Sequence, residues 1–416
     1  MQAANEPMIE VEECPATRPT LRIAVVTETY PPEVNGVAAT VACFVQGLRD
    51  RDHAVQVVRP RQTREPNATG DDQQVLTAGV PIPRYPHLKM GLPAKRFLVR
   101  LWKLRRPDVV HVVTEGPLGW SAVQAAATLR LPVCSDFRTN FHSYSRHYGI
   151  GWLQRPILAY LRKFHNLTRR TLVPTEALRQ QLAAAGFDRV QVVARGVDTA
   201  LFHPSRRREE LRRAWGVPPG GTAVIHVGRL ASEKNLGVLG SAYERLKARV
   251  PAVVFVFVGD GPARGELQAR CPGALLAGMR TGLDLAEHYA SGDVFLFPST
   301  TETFGNVTAE AMASGLAVVA YDYAGANALI EHGASGLLAP LDNESAFLAR
   351  ASELVGDPAA VARMGAAARE VAERHAWSRV VEQFEGVLLQ VVREAAAWRD
   401  PARTLAGPLV RMPFDH

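Results

Sequence analysis

The sequence predicts an α/β protein in which parallel strands, buried on both faces, are covered by helices. Three observations predict it. Short, near-continuous apolar runs such as Leu21-Arg-Ile-Ala-Val-Val26, Val109-Val-His-Val-Val113 and Ala223-Val-Ile-His-Val227 read as strands with no solvent-facing side. Helical segments follow them, and strand–helix alternation means a parallel sheet. The rhythm begins at residue 21, lapses near residue 194 and restarts at Thr222, and 416 residues are too many for a single core.

Taken in order, residues 1–20 read as a disordered tail. The first strand is followed by a helix over Val37–Arg49, a strand over Ala54–Arg59 and a polar surface loop over residues 60–74. After Val109–Val113 come a small-residue helix around Ser121–Thr128 and a strand at Pro132–Ser135. The second series runs through Thr222–Gly228, Val253–Gly259, Leu275–Ala277, Val294–Phe297, Ala317–Ala320 and Gly336–Leu338. From Trp377 to about Trp398 the apolar positions recur at helical spacing, giving one long amphipathic helix. The expected division is a first domain over 21–194, a linker over 195–205, a second domain over 206–376, a helix over 377–400 and a tail over 401–416.

Composition narrows the function classes. A hydrophobic content of 47% suits a folded α/β chain. No run of about 18 or more apolar residues is present, so no spanning helix is expected. The acidic N-terminus lacks an apolar segment and is no secretory signal. Cys14, Cys43, Cys134 and Cys271 fall in no metal-ligand spacing, which fits a reducing cytoplasm. The formal charge of +7 is uneven: residues 84–106 hold eight cations and no acid, and residues 137–175 hold seven cations and no acid. That asymmetry points to an anionic surface as partner. The cations lack interleaved stacking aromatics, so nucleic acid is not expected. The oligomeric state is not readable.

Glu302-Thr-Phe-Gly305-Asn-Val-Thr-Ala-Glu310 follows the strand Val294–Phe297, and a helix begins just past Gly305. A strand, a glycine turn and a helix N-terminus place backbone N–H groups where an anion can sit. Gly228-Arg229 and Lys234-Asn235 follow the strand Ala223–Val227 and supply two positive charges. Carboxylates for hydroxyls and cations for a diphosphate together describe a nucleotide-sugar site. The bland alternative is a solvated loop acid, a helix-start acid and two surface cations.

This pair of motifs, with the connector Gly196-Val-Asp198-x3-Phe202-x-Pro204, resembles the retaining glycosyltransferases of family 4 over nearly the whole chain. The resemblance implies the GT-B fold, two Rossmann-like doubly wound domains facing across a cleft, with the last long helix crossing back to brace the hinge. It implies a hexosyltransferase with donor contacts from Gly36, Gly228, Arg229, Lys234, Gly261, Glu302, Phe304, Gly305, Val307 and Glu310. Glu302 with the Phe304–Gly305 backbone would hold the sugar, Glu310 the ribose, and Arg229 with Lys234 the diphosphate. No Asp-x-Asp stands in a metal-binding context, so neither metal nor cofactor is expected beyond the donor itself. Gly-x-Gly-x-x-Gly is absent after the first strand, which argues against a dinucleotide-binding protein.

Relatives place a histidine where Arg138 stands, before Thr139-Asn140. An arginine cannot accept a proton, so Arg138 is read as binding phosphate or an anionic sugar or acceptor. His142 and His147 stand nearby, with plain packing as the alternative. Glu115-Gly-Pro-Leu-Gly119 resembles a segment of lipid-glycosylating mannosyl-, glucosyl- and sulfoquinovosyl-transferases. Glu115, Arg138 and His142 are thus acceptor candidates, and Arg229, Lys234, Glu302, Arg138 and His142 the catalytic set. Lys95, Arg96, Arg100, Trp102 and Lys103 lie on an amphipathic segment read as membrane contact, or else as a core-packed helix with a charged face. The expected reaction moves a hexose from GDP-mannose or a UDP-hexose to a lipid such as diacylglycerol, peripherally at the inner face of the membrane. A soluble acceptor, a non-catalytic nucleotide-sugar binder and a sugar epimerase are the competing readings.

Overall fold

The computed structural model describes residues 19–33, 35–62, 73–82, 85–138, 154–302 and 304–399. Among the described residues of the first half there are nine strands: β1 (Arg22–Val26), β2 (Ala54–Pro60), β3 (Gln74–Thr77), β4 (Gly79–Ile82), β5 (Tyr85–Gly91), β6 (Val109–Val112), β7 (Val133–Asp136), β8 (Arg170–Val173) and β9 (Val190–Val192). Seven of them form a parallel sheet in the order β3-β2-β1-β6-β7-β8-β9, while β4 and β5 pair antiparallel on their own. The helices described with them are α1 (Gly36–Arg49), α2 (Lys95–Leu104), α3 (Pro117–Leu129), α4 (Gln154–Asn166) and α5 (Glu176–Ala184).

Successive side chains of a strand face opposite sides of the sheet. In β1, Ile23 and Val25 join Phe44, Val45 and Leu48 of α1 on one side. Ala24 and Val26 join Leu118 and Ala122 of α3 with Leu98 and Trp102 of α2 on the other. Both faces are dry, which is why the strands read as continuous apolar runs without alternation.

The second half repeats the scheme. Its strands β10 (Ala223–Val227), β11 (Val254–Val258), β12 (Leu275–Gly278), β13 (Val294–Phe297), β14 (Ala317–Tyr321) and β15 (Gly336–Ala339) form a parallel sheet in the order β12-β11-β10-β13-β14-β15. Its helices are α6 (Glu209–Ala214), α7 (Leu236–Arg249), α8 (Arg264–Arg270), α9 (Gly282–Ala290), α10 (Asn306–Ala313), α11 (Ala324–Leu329), α12 (Glu344–Val355) and α13 (Pro358–Arg374). Two separate core clusters line its two faces.

The final helix, α14 (Trp377–Arg399), leaves the second half and packs on the first. Val380, Val381, Phe384, Val387, Leu388 and Val391 enter the cluster of β1 and α1. The chain passes the same point twice, since Val197 N–H donates to His375 O and Trp377 N–H to Val197 O. No described helix is long and apolar enough to cross a membrane.

Strand order dictates where a ligand crevice forms. In each sheet the order reverses around a central strand, β1 between β2 and β6, and β10 between β11 and β13. At such a switch point the loops leaving two neighbouring strands diverge and open a crevice at the strands' carboxyl ends.

Candidate active site

At the second switch point the loops after β10 and β13 are tied together. Thr301 Oγ1 donates to Glu233 O at 3.2 Å, and Lys234 Nζ forms a direct ion pair with Glu302 Oε1. Ser299 Oγ donates to the same carboxylate oxygen at 2.9 Å, and the ammonium lies 5.6 Å from the Phe297 ring centroid. Both partners are largely shielded, with side chains 19% and 17% exposed. Each ion therefore holds the other's charge in a partly dry place until something better arrives. Arg229 is not brought into this pair. Its side chain is 67% exposed and its Nε stands 3.7 Å from Glu233, a surface contact weak enough to leave it free to swing.

Helix α10 starts beside this pair. Gly305 precedes it with φ +80°, a left-handed backbone that glycine adopts without strain. Among the described residues no side chain caps the helix, so the first-turn N–H groups at Asn306 and Val307 are placed to meet a ligand. The Phe304 ring is buried in the core, leaving only its backbone to face the crevice. One turn on, Glu310 accepts a hydrogen bond from Tyr289 Oη at 2.9 Å. Burial pushes the Glu310 carboxyl above its ordinary range, and the Tyr289 bond offsets part of that.

Gly228 and Gly261 serve as bracing points between loops. A Cβ at Gly259, where φ is +134°, would stand 1.9 Å from Gly228 O, and one at Gly261 would stand 2.3 Å from Leu230 O. The loops after β10 and β11 are thus in backbone contact.

At the first switch point, Gly36 opens α1 behind Asn35, whose Oδ1 accepts from Val37 N–H and Ala38 N–H at 3.0 and 2.8 Å. Glu115 follows β6. Its carboxylate stands 3.3 Å from His165 Nε2 and its carbonyl accepts from Tyr160 Oη at 2.5 Å. Beside it lies Glu28, on the loop after β1, which no sequence motif singles out. Its Oε1 accepts from Leu118 N–H at 3.1 Å, and burial pushes its carboxyl from 4.5 up to about 7. A carboxyl raised in the folded state contributes stability that is full below pH 4.5 and is lost as pH rises through about 7. Glu28→Gln is therefore expected to gain stability relative to wild type between pH 5 and pH 8, by on the order of a few kcal/mol. Urea melts at the two pH values measure it.

Arg138 lies two residues past β7 and is buried. Its Nε donates to Asp136 Oδ2 at 2.6 Å and its guanidinium carbon lies 5.2 Å from the Phe44 ring centroid. Burial pushes Asp136 up, but the charge of Arg138 and the nearness of His111, with Nε2 at 3.4 Å, outweigh it and hold the carboxyl below its usual range. Arg195, buried in the connector between the halves, donates from Nη1 to Asn306 Oδ1 of α10 at 3.4 Å. No sequence motif assigns a role to Arg195, Asn306 or Tyr289, because only the fold brings them to the crevices. His142 lies outside the described residues, as does His147.

The membrane candidates divide. Lys95, Arg96, Arg100 and Lys103 are exposed on α2, together with Phe97 and Leu104. Trp102 is a correction. With Leu98 it is fully buried against α3, because its i, i+4 spacing from Leu98 puts it on the core-facing stripe. Among the described residues no group of three His, Cys, Asp or Glu side chains converges in a way that could hold a metal ion.

Comparison with known proteins agrees with this geometry. Residues 34–201 match the sequence family described as Glycosyltransferase Family 4, and residues 221–357 that described as Glycosyl transferases group 1. The chain is 39% identical over 330 residues to a GDP-mannose-dependent alpha-mannosyltransferase of Mycobacterium tuberculosis, covering 77% of this chain and 84% of the relative. It is 27% identical over 331 residues to an alpha-monoglucosyldiacylglycerol synthase of Streptococcus pneumoniae, covering 76% and 75%. Anabaena HepE, solved in complex with UDP, superposes with a TM-score of 0.70 at 20% identity over 89% of this chain and 100% of that one. The chain belongs to glycosyltransferase family 4: it is a hexosyltransferase of GT-B fold that uses a nucleotide sugar.

Proposed function

We propose that the enzyme transfers a hexose from GDP-mannose or a UDP-hexose to a hydroxyl of a membrane lipid, with retention and without a metal ion. The observation that carries this reading is the Lys234–Glu302 pair lying at the uncapped start of α10. An arriving diphosphate gives Lys234 a more highly charged partner than Glu302. The ammonium moves to the phosphate, Arg229 swings in beside it, and Glu302 is released to accept hydrogen bonds from the sugar hydroxyls. Glu310, already oriented by Tyr289, accepts from the ribose. Fixed cations at the leaving group are a large electrostatic contribution to glycosyl transfer. The bond from the anomeric carbon to the phosphate oxygen breaks as that from the acceptor oxygen forms on the same face. The acceptor's proton passes to the departing phosphate. The relatives' names, an alpha-mannosyltransferase and an alpha-monoglucosyldiacylglycerol synthase, support an α-linked product, and the second supports a lipid acceptor.

A membrane surface also fits the exterior of the first half. Lys95, Arg96, Arg100 and Lys103 surround Phe97 (46% exposed) and Leu104 (86% exposed) on α2. On α4, Arg155, Arg162 and Lys163 surround the exposed Ile157 and Tyr160. We place the enzyme peripherally on an anionic leaflet at the cytoplasmic side, with Glu115 near the entering acceptor. Each cation near such a surface contributes about 1 kcal/mol. Replacing Lys95, Arg96, Arg100 and Lys103 with glutamine is thus expected to lower binding to phosphatidylglycerol vesicles at low salt about a thousandfold, while GDP and UDP binding is unchanged. A thermal-shift panel of nucleotide sugars, then product analysis with a total lipid extract, tests the reaction itself. Product formed only on a water-soluble acceptor would favour a soluble glycan or sugar as substrate.

A further inference from the structure

The seam between the two halves buries more positive charge than it pairs. Arg138 and Arg195 are 5% and 6% exposed. Arg138 commits Nε to Asp136, yet its Nη1 and Nη2 are sealed from solvent and have no hydrogen-bond partner among the described residues. Among the described residues Arg195 Nε is likewise without a partner, and its Nη1 has only the long contact to the Asn306 amide oxygen. Asp136 is thus the one carboxylate bonded to these two guanidiniums among the described residues. Burial and the neighbouring Arg138 charge push Arg195 down to about 10, so the pair repels itself as it stands. Unpartnered buried donors of this kind are costly to fold around. The location is informative too. A Cβ on Gly36, at the start of α1, would stand 3.3 Å from Arg195 Nη1, while Asn306 begins α10 on the other side. Arg195 therefore touches both walls of the crevice.

We propose that Arg138 and Arg195 form an oxyanion site, separate from the diphosphate cations Arg229 and Lys234, for a carboxylate, sulfonate or phosphate-ester group carried by the transferred sugar or by the acceptor. The inference rests on the transferase reading and names a feature of its substrate. A planar guanidinium fork suits an oxyanion's paired oxygens. One negative group supplies acceptors to the stranded Nη atoms and balances the surplus charge. A neutral substrate leaves both as they are, so the site discriminates for charge.

The test uses the full chain with Arg195→Met, Arg195→Lys and Arg138→Met. In thermal shifts, sulfate is expected to raise the melting temperature of wild type above its value in chloride at equal ionic strength. Arg195→Met and Arg138→Met should lose that excess, and Arg195→Lys should keep part of it. Two matched substrate pairs separate the sources: UDP-glucuronate against UDP-glucose for the sugar, and phosphatidate against diacylglycerol for the acceptor. Wild type should prefer the charged member of one pair about tenfold to a hundredfold, and the methionine variants should lose the preference. The proposal is overturned if sulfate acts equally on wild type and variants. It is also overturned if the variants weaken UDP itself as much as the anionic substrate, which would assign the pair to the diphosphate. Should Arg138→Met not fold, the two Arg195 variants carry the same comparison. If no nucleotide binds wild type while the sulfate effect behaves as described, the transferase reading fails and the oxyanion site stands.

Discussion

Replacing Lys234 with alanine is expected to lower kcat/KM for transfer by about 10²–10³-fold, the usual cost of deleting one preorganised group that stabilises developing charge. Most of the loss should fall on kcat, because the ammonium acts chiefly as the phosphate oxygen gains charge while the glycosidic bond breaks. Free enzyme should feel the change as well. Glu302 loses its counter-ion in a place where its side chain is only 17% exposed, and keeps Ser299 Oγ as a donor. Glu302→Ala frees Lys234 but removes the sugar contact, so it too should slow transfer. Because the two groups are paired in the free enzyme and part when the donor binds, each single variant already removes that pairing, and the loss in the double variant should depart from the sum of the singles. Steady-state kinetics on the four proteins of that cycle measure it, and strictly additive losses would remove the pair from the mechanism.

Glu310→Ala should behave differently. The ribose does not change charge or shape during transfer, so a group that binds it contributes equally to ground and transition states. The expected result is a rise in donor KM of about tenfold to a hundredfold, from the loss of charged hydrogen bonds, with kcat little altered. The alanine also leaves Tyr289, fully buried and bonded to Glu310, with an unsatisfied hydroxyl. A lower melting temperature is therefore expected as well. Tyr289→Phe separates the two effects, since it keeps the carboxylate and removes only its fixed donor. Its KM should rise less than that of Glu310→Ala. An unchanged KM in Glu310→Ala would place the nucleotide elsewhere.

How far the residues disclose this design depends on where each interaction lies along the chain. The strands were legible because β-branched runs such as Ala223–Val227 and Ala317–Tyr321 are buried on both faces and carry no competing polar pattern. The junction of Lys234 and Glu302 was legible as motif, and the fold supplies its cause: β10 and β13 are neighbours at a reversal of strand order. The antiparallel pair β4–β5 was not legible, since Pro81 within it masks the period of a strand. Trp102 was misplaced because an apolar stripe looks the same whether lipid or another helix covers it. The residues that do reach solvent on α2, Phe97 and Leu104, lie off that stripe. Arg195 and Asn306 meet across the connector, and Glu28 meets Leu118 across two strands. Contacts of that kind leave no local pattern to read.

The proposed mechanism requires the second crevice to be the donor pocket, and a crystal structure with GDP or UDP bound tests this most directly. The expected result is the terminal phosphate within hydrogen-bonding distance of Lys234 and Arg229 at the start of α10, with the ribose hydroxyls on Glu310 and the Lys234–Glu302 contact opened. A nucleotide seated away from all of these side chains, with that ion pair still closed, would contradict it.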